Sequence, residues 1–417
     1  RRVLFRSTIG KNKKEYFDYT ASGLAFRQIE NRIHDVLETY ANTHSKEASN
    51  ADKTTNYYEL ARSSLASNLE LTEDFAILPS GCGTTAAIKH FQELLGLYIP
   101  PATKKRFGFK IDIKTAPLVI VGPYEHHSNE VSFREALCEI QRINLDKQGL
   151  VDLNHLKEVL EKNKHREIIA SFCIASNVTG IITPYEEISK MLRSYNAIVC
   201  FDAAASSPYI NIPCHLYDAM FMSPHKLLGG PASCGLLIIR KSLVDTTIPP
   251  SFAGGGTVLY VNKTSQTYQK DLEAREEAGT PPILQFIRAS LAYQLRNEIG
   301  FEFIKKQKDE LKEYFINELK KIPNCEIYGN QEAPNIGIVS FNIKGLSPYD
   351  LCNRLSTEAS FQTRAGCSCA GPYGHDLLGI EKLDMTNRPG WVRVSIHFSQ
   401  TKEEIKNLIE RIKKIAI

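Results

Sequence analysis

Met222-Ser223-Pro224-His225-Lys226-Leu227-Leu228-Gly229-Gly230-Pro231 follows, after one connection and one strand's length of chain, the apolar run Val199-Cys200-Phe201-Asp202. A strand ending on an acid, then a second ending on a lysine among small, hydroxyl-bearing and glycine residues, would bring both charges to one face of a sheet. That pairing suits a lysine that condenses with the aldehyde of pyridoxal phosphate. The aspartate would keep the pyridine nitrogen protonated and the ring a good electron sink. The surrounding chain supplies the sheet. Apolar strands alternate with amphipathic helices from about Ile29 to Arg288, the pattern of an α/β fold with a mostly parallel sheet covered on both faces.

Other parts of a phosphate-bearing cofactor site stand in the same order. Phe75-Ala76-Ile77-Leu78 reads as a strand, Pro79-Ser80-Gly81-Cys82-Gly83-Thr84-Thr85 as a turn, and Ala86 to Leu95 as a helix with apolar residues at helical spacing. A glycine-rich turn into a helix start gathers free backbone N–H groups and the positive end of the helix dipole at one spot. Gly83, Thr84 and Thr85 are therefore candidate phosphate ligands, as are Ser223 and His225 beside the lysine. Tyr124-Glu125-His126-His127-Ser128-Asn129 follows the strand Leu118-Val119-Ile120-Val121. One histidine there can stack on a planar ring and carry protons, its pKa lying near neutrality; His126 is the candidate. Ser176-Asn177-Val178-Thr179-Gly180 follows the strand Ile168 to Ile174, and Asn177 can bond a phenolic ring oxygen or simply make a turn.

The ordered set Gly-Thr-Thr, Glu-His-His-Ser-Asn, Ser-Asn-Val-Thr-Gly, Phe-Asp-Ala-Ala and Ser-Pro-His-Lys resembles the class V aminotransferase group, a branch of the fold-type I pyridoxal phosphate enzymes. Within it the chain is most similar to Suf-type cysteine desulfurases and selenocysteine lyases, from about Tyr16 onward. The resemblance implies a seven-stranded-type sheet domain over 30–287 and a smaller α+β domain over 288–417, with segment 1–29 packed beside it. It also implies a homodimer with shared active sites, in which Gly254-Gly255-Gly256-Thr257 reaches the phosphate of the other subunit, so Thr257 joins the cofactor ligands. In Suf-type enzymes an Arg-x-Gly-x-x-Cys run carries a nucleophilic cysteine. Counting through Thr363-Arg364-Ala365-Gly366-Cys367-Ser368-Cys369-Ala370-Gly371 puts that role on Cys369, with Arg364 close enough to favour its thiolate. The Gly-Cys-x-Cys form is also similar to molybdenum cofactor sulfurases. Arg393, in Trp391-Val392-Arg393-Val394-Ser395, would clamp the substrate carboxylate in a two-pronged pair.

The implied reaction removes sulfur or selenium from cysteine or selenocysteine, with Lys226 moving the α-proton, Cys369 taking up sulfur as a persulfide, and alanine released; an acceptor protein for the sulfur would be a partner. Other class V reactions (transaminase, epimerase, C–S lyase) stay open, as does a non-catalytic sulfur carrier or metal-binding scaffold built on Cys367 and Cys369. The chain departs from the family where relatives have glutamine three positions after the aspartate: Ala205 stands there, and Ala203-Ala204-Ala205-Ser206-Ser207 supplies only hydroxyls.

Composition agrees. The chain has 417 residues, 42% hydrophobic and 24% charged, enough for a large core and more than one domain. A net charge of +4 is too diffuse for nucleic acid. Ten scattered cysteines, several inside apolar strands, fit a reducing, cytoplasmic setting better than a disulfide framework. Beside Cys367 and Cys369 no second cysteine or histidine pair stands at structural zinc spacing, and no apolar run approaches the ~20 residues of a membrane span. Arg1 to Lys14 is basic and lacks an apolar signal region, as a tag remnant, truncated start or assembly scar would. Tyr16 to Gly23 reads as a lead-in crossing near the active site, and Lys402 to Ile417 as a closing helix with one apolar face.

Overall fold

The computed structural model describes residues 14–43, 45–108, 115–380 and 389–416; the basic stretch 1–13 and Ile417, the last residue of the expected closing helix, lie outside the described residues. A two-residue strand, β1 (Glu15–Tyr16), opens the described chain. The main sheet then takes β2 (Phe75–Pro79), β3 (Leu118–Val121), β4 (Glu139–Arg142), β5 (Ile168–Cys173), β6 (Ile198–Asp202), β7 (Ala219–Met222) and β8 (Leu236–Arg240) in the order β2-β8-β7-β6-β5-β3-β4. All neighbours are parallel except those of β8, which runs antiparallel to β2 and β7. Every residue of β3, β5 and β7 is buried. Strands apolar on both faces need helices on both faces, which is why these runs read as continuous rather than alternating. The expected α/β fold with a mostly parallel central sheet is thus present.

A hairpin, β9 (Val258–Val261) with β10 (Gln266–Tyr268), projects separately. The C-terminal layer is a four-stranded antiparallel sheet of β11 (Cys325–Ile327), β12 (Ile338–Ile343), β15 (Trp391–Ser395) and β14 (Arg364–Gly366) in the order β11-β12-β15-β14. The short β13 (Phe361–Gln362) pairs with β1 instead. Position 287 lies inside a continuous helix, Ile283–Ile299, whose buried Phe286, Ala292 and Tyr293 join the core of the large sheet. The second core runs from Phe17 and Leu311 to Ile415 and is closed by the helix Lys402–Ala416, which buries Ile405, Leu408, Ile409, Ile412 and Ile415. β12 starts two residues later than the apolar run Ile336–Phe341 indicates. Gly337 sits at φ +96, and Asn335 Oδ1 accepts from the Gly337 and Ile338 amides, a side-chain turn that holds the chain out of the ladder.

Candidate active site

In an open, mostly parallel sheet the carboxyl ends of the strands share one edge, and that edge is where ligands bind. Here a cavity of about 300 Å³ opens beyond β3, β5, β6 and β7, roofed by the loop after β14. Register places Asp202 between Cys173 and Phe221, at the very end of β6. Lys226 follows β7 in a single 3₁₀ turn, Pro224–Lys226. Burial lowers the Lys226 ammonium to about 8 against the opposing pull of Asp202, and burial raises the Asp202 carboxyl, with Ala204 N–H and Lys226 opposing. Each charge is thus a condition for the other to exist inside the protein.

The helix after β2 begins at Gly83, three residues earlier than the apolar periodicity indicates, so Thr84 and Thr85 occupy its first turn. Its N-cap residue, Cys82, offers no side-chain cap, and apart from the Thr84 N–H, taken by Ser223, the first-turn N–H groups lie at an end that also lines the cavity. Ser223 Oγ lies 2.9 Å from Thr84 N and 2.7 Å from Thr84 Oγ1, and Thr85 Oγ1 lies 2.6 Å from Ser128 Oγ. A Cβ on Gly83 would stand 3.2 Å from both His225 Cε1 and Ser223 Oγ, a tight contact, and the left-handed backbone (φ +64) favours glycine there. At His126 the Nδ1 accepts from Ser128 N–H at 3.1 Å. Burial first, then the Lys226 charge, holds this imidazole down at about 4, so the ring is neutral with its proton on Nε2. His225 is held at about 4 by the same two causes.

The histidine pair divides its work. His126 lines the cavity, while His127 anchors the cysteine loop: its N–H donates to Cys369 O at 2.8 Å and its Nε2 accepts from Gly371 N at 2.8 Å. Asn177 adds a third tie, donating to Ser368 O at 2.6 Å. Held this way, Ser368 and Cys369 both take left-handed backbone (φ +55 and +56), an uncommon state for residues with a Cβ. The turn exposes Cys369 in the cavity wall. Cys367 does not line the cavity; its thiol donates to Pro389 O at 3.2 Å.

Arg393 is 3% exposed, far from an outward strand residue. Its Nη1 donates to Asn177 O at 3.0 Å and its Nη2 to Asp18 Oδ1 at 2.9 Å. Arg364 holds the other oxygen of Asp18, with Nε and Nη2 at 2.8 and 2.7 Å. Sequence reasoning missed Asp18, though the segment carrying it was expected near the site. A lone acid among Tyr16, Phe17 and Tyr19 was the available signal. Thr20 and Ala21 of that segment line the cavity, as do Cys173 and Ala175. Beneath them Glu125 accepts from Cys173 N and Asn129 Nδ2, and burial raises its carboxyl to about 8.

Twelve expected residues therefore meet at one cavity: Gly83, Thr84, Thr85, His126, Asn177, Asp202, Ser223, His225, Lys226, Arg364, Cys369 and Arg393. Thr257 does not line it; it is buried, and its hydroxyl donates to Gly254 O at 2.8 Å. The hydroxyls beside Ala205 do not reach the cavity either: Ala204 and Ala205 line it, Ser206 and Ser207 do not. A larger cavity of about 890 Å³ beside the helix Phe301–Leu319 contains none of these residues. Among the described residues no group of three His, Cys, Asp or Glu could hold a metal ion, and no helix is long and apolar enough to cross a membrane.

The donor set fits pyridoxal phosphate. An uncapped helix start with hydroxyls suits the phosphate, and a lysine and an aspartate suit its aldehyde and ring nitrogen. Asn177, which lines this space, has a buried Oδ1 with no hydrogen-bond partner among the described residues.

The family model described as "Aminotransferase class-V" matches residues 15–408. A probable cysteine desulfurase of Streptomyces coelicolor is 28% identical over 99% of this chain and 94% of its own length, and one from Staphylococcus aureus is 28% identical with the same coverage. Among solved structures, the apo cysteine desulfurase of Thermococcus onnurineus superposes with a TM-score of 0.84 at 25% identity, covering 99% of this chain and 97% of that one. A cysteine desulfurase of Escherichia coli shares the fold, with a TM-score of 0.81 at 22% identity over 99% and 98% of the two chains.

Proposed function

The chain belongs to the class-V aminotransferase family, and from that premise we propose that it is a pyridoxal-phosphate-dependent cysteine desulfurase that leaves a persulfide on Cys369 and releases alanine. One observation carries the reading: Cys369 is exposed on a turn pinned by His127 and Asn177, in the wall of the cavity that holds Lys226, Asp202 and the two arginines. The desulfurases named above, 22–28% identical to this chain, support it.

Bound pyridoxal phosphate supplies an electron sink that acidifies the substrate's α-carbon. The chain's residues do the rest. Thr84, Thr85, Ser223 and His225 would hold the phosphate, Asp202 the protonated ring nitrogen, and Asn177 the ring oxygen, with His126 beside the ring as a neutral imidazole. Arg393 and Arg364 orient the substrate by its carboxylate. Lys226 would hold the cofactor's aldehyde, and its Nζ stands to take the substrate's α-proton. The Cys369 thiolate attacks the substrate's sulfur; an S–S bond forms as the C–S bond breaks, and the carbon takes a proton to become the methyl group of alanine. Selenocysteine would enter by the same contacts. An acceptor protein would then collect the sulfur from exposed Cys369. A second copy of the chain is read as docking on the hairpin β9–β10, where Leu259, Tyr260 and Val261 are exposed beside the Gly254–Thr257 loop.

The test is a pair of variants assayed for alanine, sulfide and keto acids. Cys369→Ala should keep the cofactor spectrum and accumulate no persulfide, whereas Cys367→Ala should retain turnover. The reverse outcome would move the nucleophile to Cys367. Full turnover in both would favour a transaminase, epimerase or lyase that has no use for either thiol.

A further inference from the structure

Cys369 rides on a turn that its own segment does not hold. Ser368 and Cys369 both lie in left-handed backbone, at φ +55 and +56, a state that residues with a Cβ disfavour. Local backbone ties run from Ala370 N to Cys367 O at 3.2 Å and from Gly374 N to Ala370 O at 2.8 Å. Neither involves Ser368 or Cys369. The turn is gripped instead from the large sheet, by His127, the first residue of the helix His127–Arg134 that follows β3. Its N–H donates to Cys369 O and its ring Nε2 accepts from Gly371 N, both at 2.8 Å. Because an N–H donates to it, Nε2 carries the lone pair. Gly371 opens the helix Gly371–Leu378, so its N–H is one of those a helix start leaves without a partner of its own, and the ring caps it. A Cβ on Gly371 would stand 3.0 Å from that Nε2 and crowd the bond. His127 thus holds the chain at Cys369 and again two residues on, while standing outside the cavity itself.

We propose that His127 is a positioning residue for sulfur transfer: its ring nitrogen fixes the direction in which the Cys369 thiolate points, and it takes no part in the proton transfer at Lys226. The proposal rests on the desulfurase reading and adds the residue that aims the nucleophile. Displacement at sulfur needs the attacking thiolate, the attacked sulfur and the breaking C–S bond nearly in line, so orientation decides the rate. The direction of the Cys369 Cα–Cβ bond follows from its backbone. Without the ring's hold on Gly371 the turn can relax toward ordinary φ values, and Sγ swings out of line. Asn177 also ties the turn, at Ser368 O, but it lines the cavity, and its loss would disturb the cofactor as well. His127 lies outside, so its substitution separates the two halves of the reaction.

The experiment compares cofactor-loaded wild type, His127→Ala and His127→Gln in two assays. One follows alanine released from L-cysteine, with a thiol reductant to clear the persulfide. The other follows exchange of the α-proton of L-alanine with solvent deuterium, which uses Lys226 and no thiol. In His127→Ala, kcat for alanine release should fall about tenfold to a hundredfold, with KM for cysteine and α-proton exchange within about twofold of wild type. Glutamine carries an amide oxygen that can accept from Gly371 N–H in place of Nε2, so His127→Gln should recover most of the loss. Deuterium exchange of the protein's own amides over 368–374 gives a readout free of substrate: slow in wild type, fast in His127→Ala, slow again in His127→Gln. Equal loss of both reactions in His127→Ala, or alanine release within about twofold of wild type, would overturn the proposal. Should that variant not fold, fast exchange at the Gly371 amide of wild type would overturn it alone, and slow exchange there with full turnover in His127→Gln would support it. A wild type that releases no alanine from cysteine would end the desulfurase reading, and this proposal with it, before any variant is compared.

Discussion

Arg393 shows what a single side chain must do here. Buried among apolar strands, its guanidinium is tolerated only because Asn177 O and Asp18 take its two outer nitrogens. Arg393 lines the cavity together with Arg364, where the proposed function puts the substrate carboxylate. Arg393→Lys keeps the charge and loses the planar fork, so KM for cysteine should rise by the equivalent of about 1.5–3 kcal/mol. Cofactor affinity should hardly change, because Thr84, Thr85, Ser223 and His225, not Arg393, are the proposed phosphate ligands; steady-state kinetics and a cofactor titration measure both. An unchanged KM would remove Arg393 from substrate binding. Lys226, Asp202 and the Gly83–Thr85 turn were legible because each sits in a local pattern with its own chemical logic. Asp18 was not. Its partners are 346 and 375 residues away in sequence, and nothing nearby reveals that a lead-in segment will end beside two arginines. The role of His127 was hidden for the same reason: which of two adjacent histidines faces the ring depends on where the cysteine loop lands.

At the scale of elements, periodicity gave the strands and helices and missed how closely they approach. The helix Lys402–Ala416 buries the face its spacing indicates, and β5 and β7 are the continuous apolar runs of a covered sheet. The helix at Gly83 starts before its apolar pattern does, since its first turn is built from the polar contacts of Thr84 with Ser223 and Thr85 with Ser128 rather than from apolar packing. The strap Tyr16–Gly23 is the least legible element and among the most constrained. A Cβ on Gly23 would stand 1.9 Å from Leu227 O, directly beside the Lys226 turn. Gly23→Ala must therefore push the strap off that turn, costing about 1–3 kcal/mol as overpacking does. It should also weaken cofactor loading, since the strap also carries Thr20 and Ala21 in the cavity wall. A urea midpoint and the cofactor content of the purified variant measure the two effects. A fully stable, fully loaded variant would show that the strap is not seated as described.

For the whole molecule, a half-buried histidine makes stability depend on pH in a definite direction. His225 has a folded pKa of about 4 against 6.5 when exposed. Between those values the unfolded chain binds the proton and the folded one does not, so stability falls as pH drops from 6.5 toward 4. The loss by pH 5 is below about 2 kcal/mol, because solvent screens this partly exposed ring. In the cofactor-free protein His225→Gln should flatten the acid side of the melting profile; an unchanged slope would mean that the ring is solvated. The hairpin makes a second prediction at this scale. With Leu259, Tyr260 and Val261 at 64, 62 and 57% exposure, a second copy has an apolar strip to cover. Tyr260→Asp should shift a dimer toward monomer in sedimentation, and a wild type that is already monomeric would remove that interface. The central claim is that sulfur leaves cysteine and stops on Cys369. The most direct measurement treats the cofactor-loaded protein with cysteine, blocks its thiols, and maps by peptide mass where the extra sulfur resides. The account predicts one added sulfur atom on Cys369, with alanine formed in equal amount. Alanine without sulfur on any cysteine, or the sulfur on Cys367 instead, would contradict it.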